Sequence, residues 1–171
     1  QISDVDVAQE MTSFVRSPFS PAAAFDMEAL HADAAIATRF LDNVYQVSHF
    51  PLPRQAETAR ATRRLGLGLT GLGDALAMLG MVYGSVESCA LAGRIMETVC
   101  HAAYRASVGL AREKGAFPAF STAGYLDGEF VRALPADIRD GIRQYGIRNS
   151  HLTAIAPTGT VSLLANNLSS G

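Results

Sequence analysis

The sequence predicts a helix-rich α/β fold, and three observations carry that expectation. Two long segments, residues 26–48 and 85–114, repeat apolar side chains three and four apart between credible helix caps. Two short apolar runs, residues 65–69 and 152–156, are too short for helices and read as strands. Of the 171 residues 49% are apolar and 18% charged, which suits one folded domain over residues 1–171 rather than a disordered chain.

Taken in order, Val5, Asp6 and Val7 suggest a short strand, and Ser17-Pro18 and Ser20-Pro21 signal turns. Asp26 is placed to cap the first long helix, which runs to about Ser48. Its apolar stripe is Leu30, Ala34, Ala37, Leu41, Val44 and Tyr45, flanked by Phe40 and Val47. Pro51 and Pro53 end it and open the next helix. Residues 54–64, RQAETARATRR, are helical in pattern and polar. Their arginines read as a solvated face around Glu57, with an anion site as the alternative.

Residues 65–69 follow, and Gly66-x-Gly68-x-x-Gly71 matches a dinucleotide-binding string. The context rejects it, because that string must follow a strand inside a βαβ unit, and here a charged helical run precedes it. The glycines instead let a strand pack closely against its neighbours. Residues 73–79 form a short helix with Gly80 near its end.

Ser85 caps the longest helix, with Glu87 in its first turn, Arg112 and Lys114 in its last and Gly115 beyond. Its expected stripe is Cys89, Gly93, Met96, Cys100, Ala103, Ser107 and Leu110. Those small residues predict close approach of another backbone, with Gly93 and Gly109 marking a bend or tight contact. Residues 116–146 are loop-rich, with Phe117, Phe120, Tyr125, Phe130 and Leu134 pinning them to the core. Residues 137–145 form a short polar helix ended by Gly146.

Composition excludes several functions. A net charge of −2 implies no basic face, so the chain is not expected to bind nucleic acid directly. No apolar run reaches the roughly 18 residues that span a bilayer, and no signal peptide is seen, so no membrane partner is expected. Two cysteines make no disulfide framework and suit a reducing cytoplasm. On a continuous helix Cys89 and Cys100 lie about 16 Å apart, too far to pair, and read as buried small hydrophobes. His31, His49, His101 and His151 show no ligand spacing, so no metal site is expected. Asp74 and Glu87 are acids without an identifiable partner, and no catalytic residue is assigned.

One stretch does suggest chemistry. After the strand at residues 152–156, Pro157 cannot donate to a ladder, and Thr158, Gly159 and Thr160 lead into a helix through Val161 and Ser162. A helix N-terminus after a Gly-containing turn presents unpaired N–H groups, and the three hydroxyls add donors without charge. Two readings stand at this point: an anion site, or a plain cap closed by Thr158 or Thr160.

The stretch RNSHLTAIAPTGTVSLLANNLSSG resembles the substrate-phosphate loop of ribonucleotide reductase large chains, most of all the adenosylcobalamin-dependent class II enzymes. RRLGLGLTGLGDALAMLGMVYGS and AAYRASVGLAREKGAFPAF resemble the same enzymes, in family order. The resemblance implies a section of a ten-stranded α/β barrel, with a ribonucleotide diphosphate held by Pro157, Thr158, Gly159, Thr160, Val161 and Ser162. It implies that the parent enzyme makes deoxyribonucleotides for DNA synthesis by thiyl-radical chemistry, with adenosylcobalamin as cofactor and a thioredoxin-type reductant as partner. The radical cysteine with its Asn and Glu neighbours, and the redox cysteines, are expected outside this chain. A chain that starts at Gln1 and stops after NNLSSG is accordingly read as an internal fragment. By itself it is expected to be inactive, to bind no cofactor and to be prone to self-association. Two alternatives remain: a class I metal-radical reductase large chain, or a non-enzymatic helical interaction module with a capped loop.

Overall fold

The computed structural model describes residues 8–170, so the strand expected at Val5, Asp6 and Val7 lies outside the described residues. The chain opens with β1 (Ala8–Glu10), a 3-10 turn (Met11–Phe14) and the antiparallel pair β2 (Val15–Arg16) and β3 (Ala24–Phe25), with the two Ser-Pro turns in the connection. α1 (Met27–Val47) begins where the Asp26 carboxylate accepts the Ala29 N–H at 3.0 Å. Leu30, Ala34, Ala37 and Leu41 are buried along the expected stripe, whereas Phe40 and Val47 face solvent. Thr38 and Asp42 are buried beside it.

α2 (Pro53–Thr62) starts at its proline and stops at Arg63, whose backbone is left-handed. β4 (Gly68–Thr70) then pairs in parallel with β1, Ala8 opposite Gly68 and Glu10 opposite Thr70. On its other side Leu67 bridges Thr153, also in parallel. The Leu67 N–H donates to Leu152 O at 2.9 Å and the Ala154 N–H donates to Leu67 O at 3.1 Å. Three parallel segments with helical crossovers between them make the α/β arrangement that the sequence predicts.

The second strand is shorter than expected. Pairing stops at Ala154, and Ile155 is 92% exposed. Pro157 has no N–H with which to resume a ladder. At Gly68 a Cβ would sit 3.0 Å from Ala154 O, so this glycine does allow the close strand approach read from the sequence.

α3 (Leu72–Met78) leads into α4 (Val86–Lys114), capped by Ser85 and stopped at Gly115. α4 packs along α1 and, at its C-terminal half, on α7 (Ala136–Tyr145). The stripe expected on α4 is wrong over its first half. Cys89 and Gly93 are exposed, and Met96 and Cys100 are half-buried. The buried face is Leu91, Ile95, Val99, Ala102 and Ala103, continuing to Ser107 and Leu110. Branched side chains remove more apolar area from water than Cys or Gly, so the helix turns them inward. No atom lies within 4 Å of a Cβ built at Gly93 or Gly109, so neither glycine marks a tight contact.

α5 (Thr122–Leu126) and α6 (Glu129–Ala133) lie in the loop-rich region before α7. Phe117 and Leu134 pin it as expected, whereas Phe130 is 55% exposed. α7 is polar on one face only, since Ile138 and Ile142 are fully buried. It ends at Gly146, whose φ is +76° and where a Cβ would fall 2.8 Å from that of Ala116. One core joins α1, α4 and α7 to Leu67, Ile147 and Leu152. It supports the segment from which the last helix, α8 (Gly159–Leu164), projects.

Candidate functional site

The loop singled out in the sequence does enter a helix, and the plain-cap reading fails on geometry. Thr158 is the cap residue, left-handed at φ 48°, but its side chain makes no capping hydrogen bond. It is buried, and its hydroxyl donates to Ser170 O at 2.8 Å. The Ser162 N–H closes the first turn on Thr158 O at 2.8 Å. The N–H groups of Gly159, Thr160 and Val161 therefore find no acceptor among the described residues. Gly159 and Thr160 are exposed, Val161 is half-buried and Pro157 is exposed.

Of the three hydroxyl-bearing residues only Thr160 is exposed. Ser162 is buried and donates to Gly159 O at 2.7 Å, so its hydrogen is committed within the loop, as that of Thr158 is to Ser170. Thr160 is exposed, and its hydroxyl makes no hydrogen bond among the described residues. No atom lies within 4 Å of a Cβ at Gly159. Space around this glycine is thus open to a ligand rather than filled by its own chain. The arrangement offers an anion three adjacent N–H groups and one hydroxyl.

A strap of residues 168–170 backs the loop, and sequence reasoning missed it. Every polar group of Ser169 is bound by the corner between β4 and α3. Its N–H donates to Asp74 Oδ2 at 2.8 Å, and its Oγ accepts the Asp74 N–H at 3.2 Å. Its carbonyl accepts Thr70 Oγ1 at 2.9 Å and the Gly71 N–H at 2.8 Å. The Leu168 N–H donates to Ser162 O at 3.1 Å. Asp74 had no partner in the sequence because its partner is 95 residues away.

A second missed feature is the buried carboxylate of Asp42. Its Oδ1 accepts Arg63 Nη2 at 2.6 Å and Asn149 Nδ2 at 3.1 Å, with Arg148 Nε at 3.5 Å. Lys114 Nζ is 3.4 Å from Oδ2. Asn149 also accepts from Ser107 Oγ at 2.9 Å and donates its N–H back to that oxygen at 3.1 Å. Burial alone would raise the Asp42 carboxyl. The hydrogen bonds from Arg63 and Asn149 and the charges of Arg63 and Arg148 outweigh it and hold the group below its ordinary value. For Arg63 the solvated-face reading is wrong, because its left-handed turn at the end of α2 sends the guanidinium under α1. The signal available in the sequence was Asp42 itself, an acid next to Leu41 on the apolar stripe of α1.

Arg54 and Arg64, in contrast, do line a cavity of about 790 Å3 with Tyr45, Phe50 and Thr58. None of the loop residues lines it. Both cysteines are free on an unbroken α4, but the buried reading is wrong for Cys89, which is exposed. Burial, then the nearby Glu97 charge, raises the half-buried Cys100 thiol. Among the described residues no three His, Cys, Asp or Glu side chains converge as metal ligands. No helix among them is long and apolar enough to cross a membrane.

Comparison with known proteins places this geometry in a family. Residues 8–171 match the pattern described as ribonucleotide reductase, barrel domain. The chain is 45% identical over 140 residues to the vitamin B12-dependent ribonucleoside-diphosphate reductase of Mycobacterium tuberculosis, covering 82% of this chain and 18% of that protein. It is 34% identical to the vitamin B12-dependent reductase of Thermoplasma acidophilum, covering 85% of this chain and 17% of that one. A ribonucleoside-diphosphate reductase large chain of Neurospora crassa is 31% identical, with 85% of this chain and 17% of that protein covered. The chain thus spans under a fifth of the length of these relatives, and it belongs to the ribonucleotide reductase barrel-domain family.

Proposed function

We propose that this chain is the phosphate-loop section of a ribonucleotide reductase catalytic chain, and that Pro157, Thr158, Gly159, Thr160, Val161 and Ser162 hold the diphosphate of the substrate. The observation that carries the reading is the set of three adjacent N–H groups, Gly159 to Val161, without an acceptor among the described residues at a helix N-terminus. Thr160 supplies a hydroxyl to the same anion, and open space at Gly159 lets a phosphate oxygen approach the backbone. The hydroxyls of Thr158 and Ser162 shape the loop by donating to Ser170 and Gly159 carbonyls. Their oxygens turn no hydrogen toward the ligand. The role of the chain is to fix one end of a ribonucleotide, so that the ribose is presented to groups elsewhere in the enzyme.

We assign adenosylcobalamin to the parent enzyme, on the strength of two vitamin B12-dependent relatives, and no residue of this chain to it. When bound, that group would supply the radical that starts reduction at the ribose. A thioredoxin-type reductant and a cytoplasmic setting complete the proposal.

The test is a titration of the full-length catalytic chain with a nucleoside diphosphate. Gly159→Val puts bulk where a phosphate oxygen must approach, and Thr160→Ala deletes one donor. A hydrogen bond to a charged group contributes about 1.5–3 kcal/mol. Thr160→Ala is expected to lose one such bond, and Gly159→Val to lose more. Wild-type affinity in both variants would make the loop an ordinary helix start and end this reading.

A further inference from the structure

Thr158 is a β-branched residue held in the left-handed region at φ 48°. Such a conformation costs free energy and persists only where surrounding contacts enforce it. Here the enforcing contact is the strap, because the Thr158 hydroxyl donates to Ser170 O. Behind Ser170, Ser169 is bound through its N–H, its hydroxyl oxygen and its carbonyl to Asp74, Gly71 and Thr70. One residue further back, the Leu168 N–H donates to Ser162 O, at the other end of the loop. The strap therefore grips both ends of residues 158–162 and is itself anchored at a single corner of the fold.

The anchor is well made. Asp74 and Ser169 exchange two hydrogen bonds, the Asp74 carboxylate taking the Ser169 N–H and the Ser169 Oγ taking the Asp74 N–H. This is the reciprocal pattern of a helix capping box, built here between residues 95 apart in sequence. Thr70, which gives the third bond, is buried next to the β4–β1 ladder, so the anchor is attached to the sheet rather than to a surface loop. A hydrogen bond with an ionised acceptor is roughly twice as strong as a neutral one, which makes Asp74 the strongest link of the set.

From this geometry we infer that Asp74 is a positioning residue for substrate binding: through Ser169 it holds the strap that fixes Thr158 in its left-handed conformation and so aims the Gly159, Thr160 and Val161 N–H groups. The inference rests on the phosphate-loop reading above and adds to it the part of the fold that controls the loop. Asp74 touches no substrate atom. Its effect is expected at the end of the substrate that carries phosphate, because within the proposed site the strap's hydrogen bonds go to Thr158 and Ser162 of the phosphate loop.

The experiment compares binding of a nucleoside diphosphate with binding of the same nucleoside lacking phosphates, using the full-length catalytic chain. Asp74→Ala is expected to weaken diphosphate binding roughly tenfold, the loss of about one charged hydrogen bond's worth of ordering, while leaving nucleoside binding unchanged. Asp74→Asn keeps an acceptor oxygen for the Ser169 N–H and should restore binding to within about threefold of wild type. Thr70→Val removes a different bond from Ser169 with little change of shape, and should give the same selective loss to a smaller degree. It also serves if Asp74→Ala does not fold. Equal loss for diphosphate and nucleoside would show a general structural role and overturn the inference. If Gly159→Val weakens diphosphate binding but neither Asp74→Ala nor Thr70→Val does, the anchor alone is wrong. If Gly159→Val also binds as wild type, the loop reading fails and the anchor falls with it.

Discussion

Asp42 shows how much one buried residue organises. A single carboxylate, fully buried, faces Arg63, Lys114 and Arg148 and takes a further hydrogen bond from Asn149. It thereby joins the end of α2, the end of α4 and the segment that leads to the short strand at Thr153. Removing the carboxylate leaves the largely buried Arg63 and Arg148 uncompensated. Asp42→Asn is expected to cost about 3–5 kcal/mol of stability, read by denaturant unfolding at neutral pH. The pH dependence follows from the direction of its shift. Because the folded carboxyl lies below its ordinary value of 3.8, its contribution is complete above that value and is lost as pH falls through the lower, folded one. Wild type should lose stability across that acidic window more steeply than Asp42→Asn. Parallel acid profiles for the two would show that Asp42 contributes nothing as an ion.

At the scale of elements, α4 illustrates competition between possible faces. Its caps, Ser85 and Gly115, sit where the sequence places them. The face it buries was decided by Leu91, Ile95 and Val99, not by the small residues at Cys89 and Gly93. This makes Gly93 a weak point without a compensating contact. It is exposed, lies inside the helix, and has open space where a Cβ would point, with no neighbour within 4 Å. Gly93→Ala should therefore stabilise the chain by about 0.5–1 kcal/mol, measured as a rise in the unfolding midpoint. A destabilised variant would mean that a backbone does pack there. The opposite holds at Gly68, where the Ala154 carbonyl occupies the space a side chain would need. Gly68 in a strand meets the carbonyl of its neighbour, and Gly93 in a helix meets nothing, so only the first is required by packing.

For the whole molecule, the sheet has edges. β4 is paired on both sides, but β1 and the segment around Thr153 have no outer partner among the described residues. Beside that edge Ile155 is 92% exposed, and Leu163 and Leu164 on α8 are 65% and 84% exposed. Unpaired edges next to apolar side chains favour association. The 171-residue chain is expected to form dimers or larger species that dissociate on dilution, followed by light scattering over a concentration series. A monomer at every concentration would show that these surfaces are harmless as they stand.

The local chemistry of the sequence determined a good deal of this protein. Asp26, Ser85, Pro53 and Gly115 set the limits of the main helices, and the spacing of Leu30, Ala34 and Leu41 set the buried face of α1, because caps and periodicity act within a few residues. The loop from Pro157 to Ser162 was legible too, since a Gly-containing turn before a helix exposes N–H groups wherever it occurs. What only the tertiary structure decided depends on residues far apart in the chain. Arg63 reads as solvated until its left-handed turn carries it to Asp42. Asp74 reads as isolated until Ser169 arrives 95 residues later. The strand after His151 ends at Ala154 rather than Ala156, because its length depends on where its partner at Leu67 stops bonding to it. Hydrogen bonds and charge pairs are directional and short, so a linear pattern shows which groups need partners, while folding alone determines which partners they receive.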